Sequence, residues 1–491
     1  MKIIIKRVLV FSVLLSSLVA LEVSTEDTLM YNLPSYQDVL DGIDEKKEQQ
    51  KELTKELDDQ SKINQEKDYD NLFDYRIRHT FIIEFSQQEW NGLLDDMQTY
   101  YDTYGSYKSN NYRNVDVTYV GGDDVFKIED VGIRSKGNIY SRYLPEDAFG
   151  NVIDIHYMMK FNETFNYDEE SARYDELKTR EVFNLEQLLF KRNNQNDPSY
   201  TNEVYGYSLF REAGVVVPNA TFAEVRIVIE GKVEKVSLYN VFEHYDEEFI
   251  RKHFQEEPTK EVGDLYKGQW SATLDTITSS DDFGVRDWEN NIRPLYSKET
   301  NKEIDSYDTL VDFSYGINRS NIKDRLAFLE ANFDTDNFMR AMAVNVLLGN
   351  PDDYRGNGNN FYYYFDEDGF MTYVPFDYDN SMGNGWDGQP AFIDYTLGND
   401  IYEWGRFDWN PFGIPLWDNL IEHEEYQILY ENYLMEYIES GLFSEEAYLE
   451  IYDEVVALYG DQFDLYYDKE RYINTKIDVI IEDVAYYRSI R

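Results

Sequence analysis

One stretch of the sequence, residues 349–383, limits the folds open to this chain more than any other. Two short runs rich in aromatic and β-branched residues, 361–365 and 371–376, lie on either side of a Glu-Asp-Gly turn that ends at Gly369. This composition around a tight turn predicts a β-hairpin. A helix-like run, 339–348, comes before it and is expected to end at a glycine. The predicted unit is therefore a helix, a loop and a hairpin.

Four acids flank this hairpin. Asp352 and Asp353 come before its first strand, and Asp377 and Asp379 follow its second strand. Because a hairpin brings its two outer ends together, these carboxylates are expected to gather at one end of a sheet. Carboxylate and amide oxygens, such as that of the nearby Asn360, are ligands that a hard cation such as Mg²⁺ prefers. The sequence therefore predicts a divalent-cation site at this end.

The same stretch resembles the CotH family, the spore-coat-protein-H-like atypical kinases. Members share an Asn-x-Asp-x-Tyr loop, an Asn-Asn or His-Asn pair, an aromatic strand and, after a short hairpin, a Pro-Trp-Asp-x-Asp sequence and a glycine. This chain departs mildly from that pattern, with Phe376 where Trp is commoner. The resemblance continues through weaker motifs from about residue 75 to the C-terminus. The residues that carry it are Asn350, Asp352, Tyr354, Asn359, Asn360, 361–364, Pro375, Asp377, Asp379 and Gly383.

The resemblance implies an α+β fold of the atypical kinase kind, with a mixed or antiparallel β-sheet region followed by a helical C-terminal region. The implied activity is transfer of the ATP γ-phosphate to Ser or Thr of a coat, surface or secreted protein, with Mg²⁺ or Mn²⁺ as cofactor. Some family members are known as coat proteins or, in some fungi, as host-binding surface proteins. A non-catalytic structural or host-binding protein of the same fold is therefore the alternative.

The resemblance also implies roles for the residues around the hairpin. Asp352 is implied to be the catalytic acid that orients the acceptor hydroxyl, with the adjacent Asp353 as its rival. Asn360, Asp377 and Asp379 are implied to be metal ligands. This chain order echoes the base, the metal-binding amide and the metal-binding carboxylate of protein kinases, although the sequence has neither a kinase-type Gly-rich loop nor an Asp-Phe-Gly motif.

Cations for the phosphates are expected upstream of the hairpin. Arg134 and Lys136 lie in an Arg-Ser-Lys-Gly-Asn segment that is similar to a family motif, and such a turn can offer cations and backbone N–H groups to phosphate. Lys160 falls where the family has a strand lysine, which implies a nucleotide contact. Glu243 falls at a strand-end Glu position of the family. It is expected either to contact nucleotide or metal or to cap the helix around Phe249.

The acids that flank the hairpin could also belong to two other kinds of site, a calcium loop or a glycosidase active site. The run that begins at Asp377 imitates half of an EF-hand loop, but Met382 stands at the obligatory glycine position and Gly388 at the terminal glutamate position. This excludes an EF-hand. Two carboxylates among aromatic residues are also typical of glycoside hydrolases, so a glycan-active enzyme stays open.

The N-terminal region is expected to lie outside the globular domain. Lys2 and Lys6 precede a short apolar run that leads to Ala20, which predicts a secretory signal peptide over residues 1–20. Residues 21–74 are rich in charged side chains. This composition is typical of a linker or a solvated helix, and also of a disordered segment. The kinase-like domain is predicted to span 75–491, and its helical C-terminal part begins at about residue 415.

Composition restricts the partners of the chain. It carries 96 acidic and 46 basic side chains, for a net charge of −50. This balance excludes nucleic acid as a partner, because its binding needs a basic surface. The chain has no Cys, which excludes disulfides and thiolate chemistry. No apolar stretch after the signal peptide is long enough to cross a membrane. The expected location is extracellular, on a cell surface or in a spore coat.

Overall fold

The computed structural model describes most of the chain beyond the predicted signal peptide. The predicted segment 1–20 and nearly all of the predicted linker 21–74 lie outside the described residues. Leu72 is already fully buried in the hydrophobic core, just before the predicted domain start. The described residues are 68–254, 261–274, 295–304, 306–319, 321–385, 400–406 and 413–491.

The first half of the described chain forms a closed β-barrel. Its strands follow the order β1-β2-β3-β4-β5-β7-β6, and β6 closes the barrel by pairing with β1 in parallel. The other neighbouring strands pair antiparallel. The strands are β1 (His79–Phe85), β2 (Arg113–Gly121), β3 (Asp124–Ser135), β4 (Tyr157–Lys160), β5 (Gln187–Arg192), β6 (Ala220–Ile229) and β7 (Lys232–Glu243).

Alternation along the barrel strands decides which side chains reach the site. In β5, Leu188 and Phe190 belong to the core inside the barrel, together with residues of every other barrel strand. Leu189, between them, belongs instead to the larger core outside the barrel. Since successive side chains of a strand point to opposite faces, Lys191 shares the outer face with Leu189.

The second half contains the predicted hairpin within a small sheet. The strands are ordered β11-β10-β8-β9, and all pair antiparallel. The hairpin register joins Phe361 to Pro375 and Phe365 to Met371, which confirms the prediction from the sequence. The strands are β8 (Asp264–Gly268), β9 (Tyr296–Lys298), β10 (Phe361–Phe365) and β11 (Met371–Pro375).

Helices surround this sheet and make up the C-terminal part of the chain. One apolar cluster runs from the outer face of the barrel through the sheet to the last helices, so the barrel and the helical part share a core. No helix in the described ranges is long and apolar enough to span a bilayer. The helices are α1 (Gln87–Tyr104), α2 (Ala172–Lys178), α3 (Asn202–Glu212), α4 (Glu247–His253), α5 (Asp308–Ile317), α6 (Ile322–Asn332), α7 (Thr335–Leu348), α8 (Tyr354–Asn357), α9 (Pro415–Ile421), α10 (Glu424–Glu439), α11 (Glu445–Tyr459) and α12 (Glu470–Ile490).

The α+β class and the helical C-terminal region agree with the prediction, whereas barrel closure was not predicted. An Asp-Pro pair such as Asp197 and Pro198 is typical of a helix cap and first turn, but α3 begins only at Asn202. The buried Asp197 carboxylate accepts hydrogen bonds from the backbone N–H groups of Ser199 (3.1 Å) and Asn202 (3.2 Å). It therefore folds the intervening residues into a turn. The later start places Glu203 in the first turn of α3.

Candidate active site

A buried lysine lies at the centre of the site. Lys191 Nζ is 2.7 Å from Glu203 Oε1 and 3.3 Å from Asp379 Oδ2, and it also contacts the Asp377 carboxylate. The Lys191 side chain is only 8 % exposed. Three elements therefore meet at one ammonium group: the outer face of β5, the first turn of α3 and the segment after β11.

Burial and charge act against each other in this cluster. Burial would lower the pKa of Lys191, but the charges of Asp377, Asp379 and Glu203 raise it well above the ordinary value. Burial raises the pKa of Glu203 to about 7, against the attraction of Lys191. Lys191 is consequently charged at neutral pH. Its positive charge offsets the free-energy cost of burying three acids beside it.

Asp377 is held by its backbone as well as by Lys191. It lies two residues after the end of β11 and has a positive φ of 62°, which is uncommon for a residue with a side chain. Its N–H donates to the Tyr207 hydroxyl (3.1 Å), and its carbonyl accepts from Asn350 Nδ2 (3.1 Å). Burial would raise the pKa of its carboxyl, but Lys191, Lys267 and His156 bring that pKa below the ordinary value. Asp377 is thus a fixed carboxylate, and 28 % of its side chain is open to solvent.

Asp352 lies on the other side of the hairpin, inside a ring of amides. Its Oδ1 accepts from Asn357 Nδ2 (2.7 Å) and Asn359 Nδ2 (3.2 Å). Its Oδ2 accepts from Asn360 Nδ2 (3.0 Å), which also donates to the Asp352 carbonyl (2.9 Å). These bonds orient the carboxylate, which suits a group that must accept a hydrogen bond from a hydroxyl.

Asn350 connects the two acids. Its Nδ2 donates to the Asp377 carbonyl, as described above, and its Oδ1 accepts from the Asp352 backbone N–H (3.0 Å). Asn350 is fully buried, in the turn that follows α7. One side chain therefore joins the loop before the hairpin to the loop after it, and this brings Asp352 and Asp377 into one site.

Asp353 points away from this site. It is fully buried and is the N-cap of α8, where its Oδ1 accepts from the Gly356 N–H (2.5 Å). Burial raises the pKa of its carboxyl to about 7, against the hydrogen bond from the Gly356 backbone and the charge of Arg355. A capping role explains Asp353, and of the two adjacent acids only Asp352 has the accessible carboxylate.

The oxygen donors near Lys191 fit a magnesium ion. No group of three or more acidic, Cys or His side chains is placed to hold a metal in the parts of the chain that the structure describes. Mg²⁺ does not need such a group, since it commonly uses one or two protein carboxylates and completes its shell with water and phosphate. The carboxylates of Asp377 and Asp379 both lie beside Lys191 Nζ, so they are close enough together to bind one ion. The amide nitrogen of Asn360 is used by Asp352, so its oxygen is the atom that it can offer to a cation.

A comparison with models of known protein families shows the family to which this chain belongs. The family described as "CotH kinase protein" matches residues 133–485, which is most of the chain. The chain belongs to the CotH kinase family. A search of curated proteins finds no significant match.

In this CotH kinase family member, Arg134 lies next to the last residue of β3, and Lys136 directly follows that strand. The backbone N–H of Lys136 donates to the His156 carbonyl (2.8 Å). Burial lowers the pKa of His156 to about 3, and the charges of Lys191 and Asp377 also act on it. The backbone of Lys136 is therefore near the carboxylate cluster. The Arg134 guanidinium lies instead 5.1 Å from the Tyr112 ring centre, beside the ring that Lys160 also faces. Phosphate binding by these two residues stays a prediction.

Lys160, in contrast, is not beside Asp377. Its Nζ forms an ion pair with Glu163 (3.0 Å) and lies 5.5 Å from the Tyr112 ring centre. It pairs with Gln187, four residues before Lys191 in β5. At roughly 3.3 Å per residue, the two lysines are about 13 Å apart along the strand. The strand lysine that meets the acids is Lys191, and a nucleotide contact of Lys160 stays a prediction.

Glu243 has partners within the protein. It is fully buried, and its Oε2 lies 2.7 Å from His253 Nε2 and accepts from the Asn219 N–H (3.2 Å). The helix that it was expected to cap, α4, is capped by Asp246, whose side chain accepts from the Phe249 N–H. The capping interpretation of Glu243 is therefore wrong, and its contact with nucleotide or metal stays a prediction.

Lys191 and Glu203 were missed by the sequence reasoning. The available signal was a lysine in an apolar strand sequence, Leu-Leu-Phe-Lys-Arg, followed by an acid at the start of the next helix. Protein kinases use such a pair, a strand lysine and a helix glutamate, to hold the nucleotide phosphates. Lys160 also occupies a strand, and only the three-dimensional arrangement distinguishes the two lysines.

Proposed function

We propose that this CotH kinase family member is a metal-dependent protein kinase that transfers the ATP γ-phosphate to Ser or Thr of a coat, surface or secreted protein. The observation that carries this proposal is the contact of Lys191 with both Glu203 and Asp377, with Asp352 held nearby by Asn350. Phosphoryl transfer needs positioned charge more than covalent chemistry, and these residues provide it.

Asp377 and Asp379, with the Asn360 oxygen, would hold Mg²⁺ or Mn²⁺, and the ion would neutralise charge on the phosphates. Lys191 would contact the phosphates while Glu203 holds its side chain in place. Asp352 would accept the hydrogen bond of the acceptor hydroxyl, in the orientation that its amide neighbours impose. Asn360 bonds to Asp352 and can also serve the metal, so it would keep the two halves of the site in register.

The proposed setting is extracellular, on a cell surface or in a spore coat. Its support is the sequence of residues 1–20, a basic start followed by an apolar run and a small residue. The absence of Cys from the sequence is compatible with any redox environment. A protein acceptor with Ser or Thr is proposed from membership of the kinase family.

The proposal is tested by incubating the purified chain with labelled ATP, Mg²⁺ or Mn²⁺, and casein or a Ser-rich peptide. We expect label in the peptide with wild-type protein and none with Asp352→Asn. Asp368→Asn is a matched control, because Asp368 is an exposed acid at the opposite end of the same hairpin. A wild-type protein that binds Mg·ATP without transferring label, or that does not bind it, would favour the non-catalytic coat or surface protein.

A further inference from the structure

An exposed tryptophan lies beside the amide groups that hold Asp352. Trp270 follows β8, and its side chain is 45 % exposed, although Trp is on average among the well-buried residues. Its indole Nε1 donates to Asn357 Oδ1 (2.7 Å), and Asn357 Nδ2 in turn donates to Asp352 Oδ1 (2.7 Å). One amide group therefore connects an exposed aromatic ring to the proposed catalytic acid.

The backbone after Trp270 is fixed to the loop that carries Asn357. The N–H of Ser271 donates to the Asn357 carbonyl (3.3 Å), and the N–H of Ala272 donates to the Gly358 carbonyl (2.9 Å). These backbone hydrogen bonds hold the turn that follows β8 against the end of α8. The position of the indole relative to Asn357 is therefore set by the backbone as well as by its own hydrogen bond.

The contact between these two segments is close and includes an unfavourable backbone conformation. A Cβ at Gly358 would lie 2.7 Å from Thr273 Cγ2 and 3.2 Å from Ser271 Cα, so only glycine fits there. Ser271 has a positive φ of 73°, which is uncommon for a residue with a side chain. Such conformations persist where the surrounding structure enforces them, and they cluster at functional sites. The turn that presents Trp270 is thus a functional candidate.

The surface beside Trp270 is where an acceptor hydroxyl would reach Asp352. Of residues 351–360, only Asp352, Asn357 and Asn359 are partly exposed, and the others are buried. Trp270 borders this small opening through its hydrogen bond to Asn357. A protein segment that brings Ser or Thr to the Asp352 carboxylate therefore passes next to the indole.

The span between the ring and the acid suits a near neighbour of the acceptor residue. Only two hydrogen bonds and one amide group separate the indole from the Asp352 carboxylate. An extended peptide covers such a span with about two residues, at roughly 3.3–3.6 Å each. A side chain one or two positions from the acceptor Ser or Thr can therefore reach the face of Trp270.

Charge decides which side chain suits this ring best. The face of an aromatic ring attracts a cation, and Trp does so more strongly than Tyr or Phe. The chain carries 96 acidic and 46 basic side chains, and the carboxylate of Asp352 lies on the same side of the site as the ring. An acidic protein attracts a basic segment and repels an acidic one. Lys or Arg is therefore the favoured neighbour of the acceptor residue.

We propose that Trp270 forms an acceptor subsite that selects Lys or Arg one or two residues from the phosphorylated Ser or Thr. This inference rests on the proposed kinase function for the role of Asp352, and it names the substrate class, a basic segment of a protein. The cation stacks on the face of the indole. The hydrogen bond to Asn357 stays in place, because Nε1 donates in the plane of the ring.

The test compares the phosphorylation of short Ser peptides that differ only in the residues on each side of the Ser, which are Arg, Leu or Glu. With the wild-type protein we expect kcat/KM to be highest for the Arg peptide. Trp270→Ala should reduce the ratio of kcat/KM between the Arg and Leu peptides about 2- to 10-fold, the value of a partly exposed cation–π contact. The reduction should come from KM for the Arg peptide, and the affinity for Mg·ATP should not change.

Two further variants separate the ring face from the hydrogen bond. Trp270→Phe keeps an aromatic face but cannot donate to Asn357, so it should keep most of the preference for Arg. Tyr466→Ala is the matched control, since Tyr466 is 65 % exposed and lies between α11 and α12. It should leave the preference for Arg unchanged.

Binding of the same peptides, measured by fluorescence anisotropy, distinguishes the subsite from the activity. Phosphate transfer by the wild type without a preference for Arg would overturn the subsite and leave the kinase proposal standing. Binding of the Arg peptide that depends on Trp270, without transfer, would overturn the kinase proposal and keep a binding site for basic segments. Failure to bind or phosphorylate any peptide would overturn both.

The kinetics of Trp270→Ala exclude two other roles of the ring. An equal loss of kcat/KM for all three peptides would assign Trp270 only to the positioning of Asn357, and would overturn the subsite. Weaker binding of Mg·ATP by this variant would place the nucleotide on the indole, and would overturn it as well.

Discussion

The amide nitrogen of Asn360 donates to two oxygens of Asp352, the carbonyl at 2.9 Å and Oδ2 at 3.0 Å. Asn360 has a positive φ of 58°, and its own carbonyl accepts from the N–H of Phe376 (3.0 Å). A strained residue at the start of β10 thus links the proposed catalytic acid to the residue before Asp377. This link explains why two acids more than twenty positions apart are held in one arrangement.

The first prediction concerns Asp352. Asp352→Asn should reduce the turnover of peptide phosphorylation by a factor of about 10²–10⁴, since it removes a group that acts on the acceptor hydroxyl in the transition state. Affinity for Mg·ATP should change little, because the substitution removes no proposed contact to nucleotide. The measurement is single-turnover kinetics together with calorimetric binding. Full turnover in the variant would contradict the assignment.

The second prediction separates Lys191 from Lys160. Lys191→Met should abolish detectable Mg·ATP binding. Lys160→Met breaks only an ion pair in which the lysine side chain is 29 % exposed, so the affinity for Mg·ATP should stay within a few-fold of wild type. Lys191→Met also leaves buried carboxylates without their cation, so a loss of stability of about 3–5 kcal/mol is expected.

Thermal unfolding must therefore accompany the binding assay for both lysine variants. Lys191→Arg serves as the control for folding, because it keeps a positive charge among the acids while changing the geometry of the contact. Weakened nucleotide binding in Lys160→Met, with Lys191→Met unaffected, would restore the assignment made from the sequence.

The hairpin was predictable because its signals are local. Aromatic composition and a Glu-Asp-Gly turn each act over a few residues, and the structure places the strands within a residue of the prediction. The position of Ser86 as the cap of α1 was predictable for the same reason, since its hydroxyl accepts from the N–H of Glu89.

The partner of the acids was not predictable in this way. Lys160 and Lys191 both occupy barrel strands, and the choice between them depends on register across β4 and β5 and on which face meets α3. These are long-range properties, and barrel closure through the parallel pairing of β1 with β6 is another.

The third prediction concerns export. The basic start, the apolar run and Ala20 predict that the leader is removed near residue 20. N-terminal sequencing of protein secreted by an expression host checks this directly. A secreted chain that still begins at Met1 would show that the segment is not cleaved and would contradict the prediction.

The last prediction uses the pH dependence of Asp353. Burial raises the pKa of this carboxyl from 3.8 to about 7, so between these values the folded chain binds a proton that the unfolded chain has released. The contribution of Asp353 to stability is therefore largest at low pH and is lost as the pH rises through the folded-state pKa, by up to about 1.4 kcal/mol per pH unit. Asp353→Asn keeps an oxygen for the Gly356 N–H but cannot ionise. Its stability relative to wild type should consequently increase from pH 5 to pH 7.5 in urea unfolding. A constant difference across this range would contradict the raised pKa of Asp353.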